Sequence, residues 1–181
     1  MTNDPVRTIV NTESGAMSFQ DYFMELKCEP AVRSFQYGGA DDARLSDEVL
    51  DALHAPDLEA VILCPCNPYH TMQPILAVNG MREALRKRGA PVIAGSPIIS
   101  GRALQGSAAK MMQELGREVS ARAVAMEYYK LIDGIVIDSA DEALAEGIQA
   151  SGFEVLVAPT FMRNAEDRLK LARAVLEFAR A

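Results

Sequence analysis

The sequence predicts an α/β protein with a three-layer, mostly parallel sheet, preceded by a β-hairpin and short-helix segment. Three observations carry this. Ala60–Leu63 is an apolar run with no polar alternation, as in a strand covered on both faces. From Ala60 onward the elements follow the order βαβααβαβα, which implies parallel strands with helices on both faces. Two of the strand runs, Val61–Leu63 and Pro91–Ala94, end in loops rich in Pro, Gly, Ser and Asn, each followed by a helical segment. Residues 1–59 are the hairpin and short-helix segment and residues 60–181 the parallel part, together one structural domain.

In chain order, Thr8–Thr12 is a β-rich run, Glu13-Ser14-Gly15 a turn signal and Ala16–Phe19 a returning strand. Gln20–Leu26 places Tyr22, Phe23 and Leu26 at helical spacing, and Pro30 closes the segment. Val32–Tyr37 alternates like a half-buried strand and ends at Gly38-Gly39. Ser46 is an N-cap for a helix whose packed side is Val49, Leu50 and Leu53 and which Pro56 stops. Pro74–Arg88 reads as one helix, with Arg86, Lys87 and Arg88 complementing the dipole at its end. Helices follow at Ala108–Leu115, Ser120–Leu131 and Ala140–Ala150. Strands fall at Pro91–Ala94, Gly134–Ile137 and Glu154–Ala158. Asn164 caps a last helix with Leu169, Ala172, Val175, Leu176 and Ala179 on one side.

At 181 residues and 49% apolar composition the chain can bury a core. A net charge of −7 disfavours non-specific attraction to nucleic acid or anionic membrane. No apolar run reaches the ~18 residues of a membrane span. MTNDPVRT lacks the basic start and apolar stretch of a secretory signal. Three cysteines without framework spacing point to a reducing compartment, so the expected location is the cytoplasm. Cys64-Pro65-Cys66 fits no zinc or redox spacing, and Cys64 is expected to be buried in its strand. Two histidines exclude a His-rich metal site. His54 belongs to a surface helix. His70 sits in a candidate loop, where it is either an acid–base group or an exposed loop residue.

The first loop, Cys66 to Gln73, leads into Pro74. A helix N-terminus there offers unpaired N–H groups, and Asn67 and Thr71 add side-chain donors. An anion site and a capped helix without ligand both remain open at this point. The second loop runs from Gly95 to Arg102. Ser96 directly follows the strand, and Ile98 and Ile99 either cover a flat ligand or tuck into the core. Lys110 either reaches a phosphate as a point charge or stays solvated. No G-x-S-x-G, G-x-G-x-x-G or Walker A pattern is present.

CNPYHTMQPILAVNGMREAL followed by GSPIISGRALQGSAAKMM resembles the paired signature of the CofD family, the 2-phospho-L-lactate or phosphoenolpyruvate transferases of coenzyme F-420 biosynthesis. DPVRTIVNTESGAMSFQDYF is similar to that family's middle segment, and AVAMEYYKLIDGIVID and PTFMRNAEDRLKLARAVL to its C-terminal segments. The resemblance covers nearly the whole chain and implies a Rossmann-like sheet. Met1 falls in the middle of the pattern, so the chain corresponds to a C-terminal half. The family's opening Gly-Gly-Thr-Gly turn, and the acidic residues expected to hold Mg²⁺, precede that point. Cys66 stands where the family has Ser, Thr71 for Ser, Gln73 for Gly and Ser107 for Pro.

The resemblance implies a reaction in which the ribityl hydroxyl of a deazaflavin acceptor attacks the phosphorus of a guanosine diphosphate-linked phospho-acid donor, releasing GMP. It implies substrate contacts at Asn67, Pro68, Thr71, Ser96, Pro97, Ile98, Gly101 and Lys110. It identifies no general base. A nucleotide- or nucleotide-sugar-binding module without catalysis is the alternative. A parallel sheet with an open edge further predicts a homodimer.

Overall fold

The structure, a computed structural model, describes residues 1–103 and 106–181. The N-terminal segment forms an antiparallel sheet in the order β2–β1–β3, from β1 (Arg7–Thr12), β2 (Gly15–Ser18) and β3 (Val32–Gly38). Gly15, at φ +115°, turns β1 into β2 in a backbone region that favours glycine. Between β2 and β3 lies α1 (Phe19–Met24), whose N-cap Ser18 accepts the Asp21 N–H. This helix ends earlier than the apolar spacing predicts, because Lys27 and Cys28 turn into the left-handed region. Tyr22 is its one buried residue, with the hydroxyl 3.1 and 3.0 Å from the carbonyl oxygens of Cys28 and Pro30. Phe23 and Leu26, expected on the packed face, are exposed. α2 (Asp47–His54) follows Ser46, and Val49, Leu50 and Leu53 are half-buried.

Apolar runs without a polar face need cover on both sides, and a parallel sheet supplies it. β4 (Val61–Leu63), β5 (Val92–Gly95), β8 (Gly134–Asp138) and β9 (Glu154–Ala158) pair in that order, all parallel. Between β5 and β8 a small hairpin joins β6 (Ile98–Ile99) to β7 (Arg102–Ala103). Strands adjacent in chain order, joined by right-handed crossovers, send their helices to one face. α3 (Gln73–Ala77), α4 (Met81–Lys87), α5 (Ala108–Glu114), α6 (Ala121–Glu127) and α7 (Ala145–Gln149) pack there. Leu76, Met81, Met111, Val124 and Ile148 share that core with Leu63, Ala94, Ile135 and Ile137. Val10, Tyr22 and Val32 of the N-terminal segment join the same cluster. The opposite face is covered by α8 (Ala165–Arg180), whose Leu171 and Val175 pack on Ile93, Val136 and Ala158. The three-layer α/β architecture is therefore as the alternation predicts.

Three expectations are corrected. The helix expected over Pro74–Arg88 is two pieces. A π-helical turn over Pro68–Met72 leads into α3, Val78 turns extended, and Gly80 at φ +85° starts α4. The break brings Asn79 beside Arg44 as a β-bridge and lets its N–H reach Ala40 O at 3.1 Å. The helix expected over Ala140–Ala150 opens as a 3₁₀ turn, Ser139–Leu144, before α7. Cys64 is exposed, since β4 ends at Leu63.

On α8 the packed residues are Leu171, Val175 and partly Phe178, whereas Leu169 and Leu176 stay 51% and 41% exposed. Gly134 fixes this rotation. It lacks a side chain where the Phe178 ring meets β8, and an added Cβ would lie 2.8 Å from Phe178 Cε1. Gly134→Ala should lower stability by about 1–3 kcal/mol through overpacking. Denaturant unfolding should show a lower midpoint with an unchanged slope, partly recovered when Phe178→Leu is added.

Candidate functional site

Parallel strands all aim their carboxyl ends at one edge, and a crevice forms there. Pro65, Cys66 and Asn67 follow β4, Ser96 and Pro97 follow β5, and Thr160, Phe161 and Met162 follow β9. Together with Ile99, Ala108 and Arg168 these groups enclose a cavity of about 320 Å³. That volume suits a small ligand or one part of a larger one.

The first wall begins with a capped turn. Asn67 is 8% exposed. Its Oδ1 accepts the Tyr69 N–H at 2.9 Å and the His70 N–H at 3.4 Å. The helix N-terminus therefore lies at Pro68, where a missing N–H costs nothing. It does not lie at Pro74, which is carried inside the helical run. Among the described residues the Asn67 Nδ2 meets only the Met111 Sδ, at 3.2 Å. A thioether is a weak acceptor, so the amide keeps donor capacity.

Residues after Asn67 turn away from the cavity. Pro68 is buried behind it. The His70 ring stacks on Phe19 with centroids 4.4 Å apart, and its Nδ1 is 3.2 Å from Thr71 Oγ1. Burial lowers the His70 pKa. Tyr37 donates its hydroxyl to Tyr69 O at 2.6 Å, Phe35 stacks on the Tyr69 ring, and the Tyr69 hydroxyl donates to Glu127. Burial, then the Glu127 charge, raises both phenols. The N-terminal sheet thus holds the first loop from behind. Cys66 stays in the wall as a neutral thiol, because burial raises its pKa.

In the second loop, Ser96 is buried. Its Oγ accepts the Ile98 N–H at 3.1 Å and donates to Ile98 O at 3.0 Å. Pro97 and Ile99 line the cavity, while Ile98 is fully buried in the core. Ser100 and Gly101 form the left-handed turn between β6 and β7. Lys110 points elsewhere: its Nζ lies 2.5 Å from Glu114 Oε1 and 3.2 Å from Pro30 O. Glu114 in turn accepts the Val32 N–H at 3.0 Å. Of the residues singled out from the sequence, Asn67, Ser96 and Pro97 line the cavity, and Pro68, Thr71, Ile98, Gly101 and Lys110 do not.

Two carboxylates position the walls. Asp138, at the end of β8, accepts the Thr160 N–H at 2.7 Å, the Thr160 hydroxyl at 2.8 Å and the Ala140 N–H at 3.0 Å. Burial alone would raise its pKa, but these bonds and one from the Phe161 N–H hold it below the usual Asp value. Asp141, 8% exposed, accepts the Ser100 N–H through both oxygens. The third wall and Arg168 escaped the sequence reading. A signal was present: PTFMR follows a strand just as the first two loops do, and the strand-end rule reaches it equally.

Among the described residues no carboxylate lines the cavity, and no cluster of three or more His, Cys, Asp or Glu could hold a metal. The donors present do not fit a hard divalent cation, which takes oxygen ligands with carboxylates among them. Among the described residues, no helix is long and apolar enough to cross a membrane.

A family model described as 2-phospho-L-lactate transferase CofD matches residues 1–170. The chain belongs to the CofD family. Curated CofD relatives agree. A Methanococcoides burtonii protein named 2-phospho-L-lactate transferase is 36% identical over 176 residues, 97% of this chain and 56% of that protein. A Streptomyces griseus protein named phosphoenolpyruvate transferase is 33% identical over 99% of this chain and 57% of its own length. This chain thus spans a little over half of these CofD relatives. A crystal structure of a Bacillus halodurans protein, BH3568, shares the fold at a TM-score of 0.62 with 14% identity, covering 97% of this chain and 60% of that one. A second crystal structure of that protein describes it as a UPF0052 family member.

Two pH effects follow from the geometry. The Asp138 pKa is depressed in the fold, so its contribution is complete above the unfolded value of about 3.9 and fades as pH falls through the folded value. Amide NMR should show the Thr160 and Phe161 N–H signals moving only in that acid range. In Asp138→Ala those signals should already be displaced at neutral pH, with a loss of about 1–3 kcal/mol. The His70 pKa is also depressed, so stability should fall as pH drops from about 6.5 toward the folded value. His70→Phe should flatten that part of the stability–pH curve.

Proposed function

We propose that this chain is part of a transferase that moves a 2-phospho-L-lactate or phosphoenolpyruvate group from a guanosine diphosphate-linked donor to a deazaflavin, in coenzyme F-420 biosynthesis. The observation that carries the reading is the strand-end cavity, walled by both CofD signature loops, with the Asn67 amide and Arg168 on its lining. The ribityl hydroxyl oxygen forms the new bond to phosphorus. The bond from that phosphorus to the oxygen bridging to GMP breaks, GMP leaves with the electron pair, and the hydroxyl proton passes to solvent. Such transfer depends mainly on positioning and on neutralising phosphoryl charge. The chain's own residues supply positioning: Asn67 and Ser96 stiffen two walls, and Asp138 fixes the third.

The family reading also includes Mg²⁺. Because the described lining of the cavity offers no carboxylate, the proposal assigns its ligands to the portion of the relatives that this chain does not span. The absence of a His, Asp or Glu from the described lining favours a second reading, a nucleotide-binding module without turnover. We further place the protein in the cytoplasm, from its cysteine usage, and read it as a homodimer. β4 is an outer strand of its sheet, Ile62 on it is 38% exposed, and Leu169 and Leu176 are exposed on α8.

Incubation of the chain, alone and with the remaining segment of the M. burtonii relative, with donor, deazaflavin and Mg²⁺ tests the reading by mass spectrometry. Appearance of the phospho-acid ester of the deazaflavin together with GMP is expected. Guanosine diphosphate binding without product in either mixture would favour the module. Light scattering should give about twice 19.7 kDa, and a monodisperse 19.7 kDa species would contradict the dimer.

A further inference from the structure

The geometry points to Arg168, paired with the Asn67 amide, as the oxyanion clamp of the strand-end cavity, holding the phosphate or carboxylate of a three-carbon phospho-acid.

The inference rests on the transferase reading for the ligand's identity, and on the cavity itself for its charge. The protein carries a net charge of −7, yet Arg168 is the one charged side chain among the described residues lining the cavity. Other cations of the chain are committed elsewhere: Arg88 to Asp133, Lys110 to Glu114, Arg163 to Asp167 and Arg180 to Glu59. Arg168 makes no side-chain hydrogen bond or ion pair among the described residues. A guanidinium presents five N–H donors in a planar fork matched to carboxylate and phosphate oxygens.

The second observation is independent. Asn67 is more than nine-tenths buried and lines the same cavity. Its acceptor oxygen is used twice by the backbone, while among the described residues its N–H₂ meets only a sulfur. A buried amide with spare donor capacity calls for an acceptor. The cap therefore has two ends, one fixing the loop and one resting on the buried Met111 sulfur with donor capacity to spare. Hydroxyls do not compete for this role. Ser96 is closed on Ile98, and Thr160 donates to Asp138. Phosphoenolpyruvate and 2-phospho-L-lactate, named for the relatives, each bear one phosphate and one carboxylate, so either end presents the oxyanion.

Calorimetric titration of the chain with inorganic phosphate, phosphoenolpyruvate and lactate tests the assignment. Saturable binding is expected for phosphoenolpyruvate and for one of the two simpler anions. Binding of phosphate but not lactate assigns the clamp to phosphate, and the reverse assigns it to carboxylate. Arg168→Met should weaken binding about tenfold or more, and Arg168→Lys by less, because it keeps charge without the fork. Asn67→Asp keeps the capping oxygen, so its melting temperature should hold while anion binding falls. Arg173→Met, on the exposed side of α8, should bind like the parent. Absence of saturable binding by the parent, or equal binding by parent and Arg168→Met with both folded, would overturn the clamp. Transfer activity with an unimpaired Arg168→Met would also overturn it while leaving the transferase reading intact. Arg168-dependent binding without transfer, even with the remaining segment of the M. burtonii relative added, would instead count against the transferase reading and keep the clamp.

Discussion

Each strand of a parallel sheet ends in backbone groups that the sheet itself cannot pair, and this constraint organises the edge of the molecule. Here the first polar side chains beyond the strands take up those groups. Asn67 satisfies two N–H groups after β4. Ser96 closes on Ile98 after β5. Asp138, ending β8, reaches across to Thr160 after β9. The cavity is the space left between these three solutions. The residues that shape it are for the most part spent on holding their own loops, while Arg168 and Asn67 line it with donor capacity left over.

The antiparallel N-terminal sheet makes the first of those loops rigid. Tyr37 binds the Tyr69 carbonyl, Phe35 and Phe19 stack on Tyr69 and His70, and Lys110 and Glu114 tie α5 to Pro30 and Val32. Most of these contacts join residues far apart in sequence, and they turn Thr71, His70 and Lys110 toward structural partners. The π-helical turn follows from the same packing. One extra residue between Asn67 and α3 lets Tyr69 and Met72 be buried while Pro74 is accommodated.

The other face of the sheet is thinner. One helix covers it, and its rotation is set by Phe178 against Gly134 rather than by the widest apolar stripe on the helix. A helix laid on a sheet buries the residues that meet the strands beneath it. Leu169 and Leu176, roughly 140° around the axis from that face, are therefore left at the surface.

The sequence by itself determined the alternation of the main strands and helices, the strand-end placement of two loops, the cap at Asn164, and family membership. All of these are written in local spacing: an apolar run, a capping residue, a motif of adjoining residues. Asn67, Ser96 and Pro97 were legible because they sit directly after strands. Only the tertiary structure decided that the PTFMR segment closes the same cavity, that Arg168 is its charge, and that Thr71 and Lys110 belong to packing. It also decided where the long helix breaks, since Asn79 answers to Ala40 and Arg44. Long-range pairing fixes these outcomes. A side chain's partner depends on which strands converge, and residues about a hundred positions apart carry no local sign that their strand ends meet.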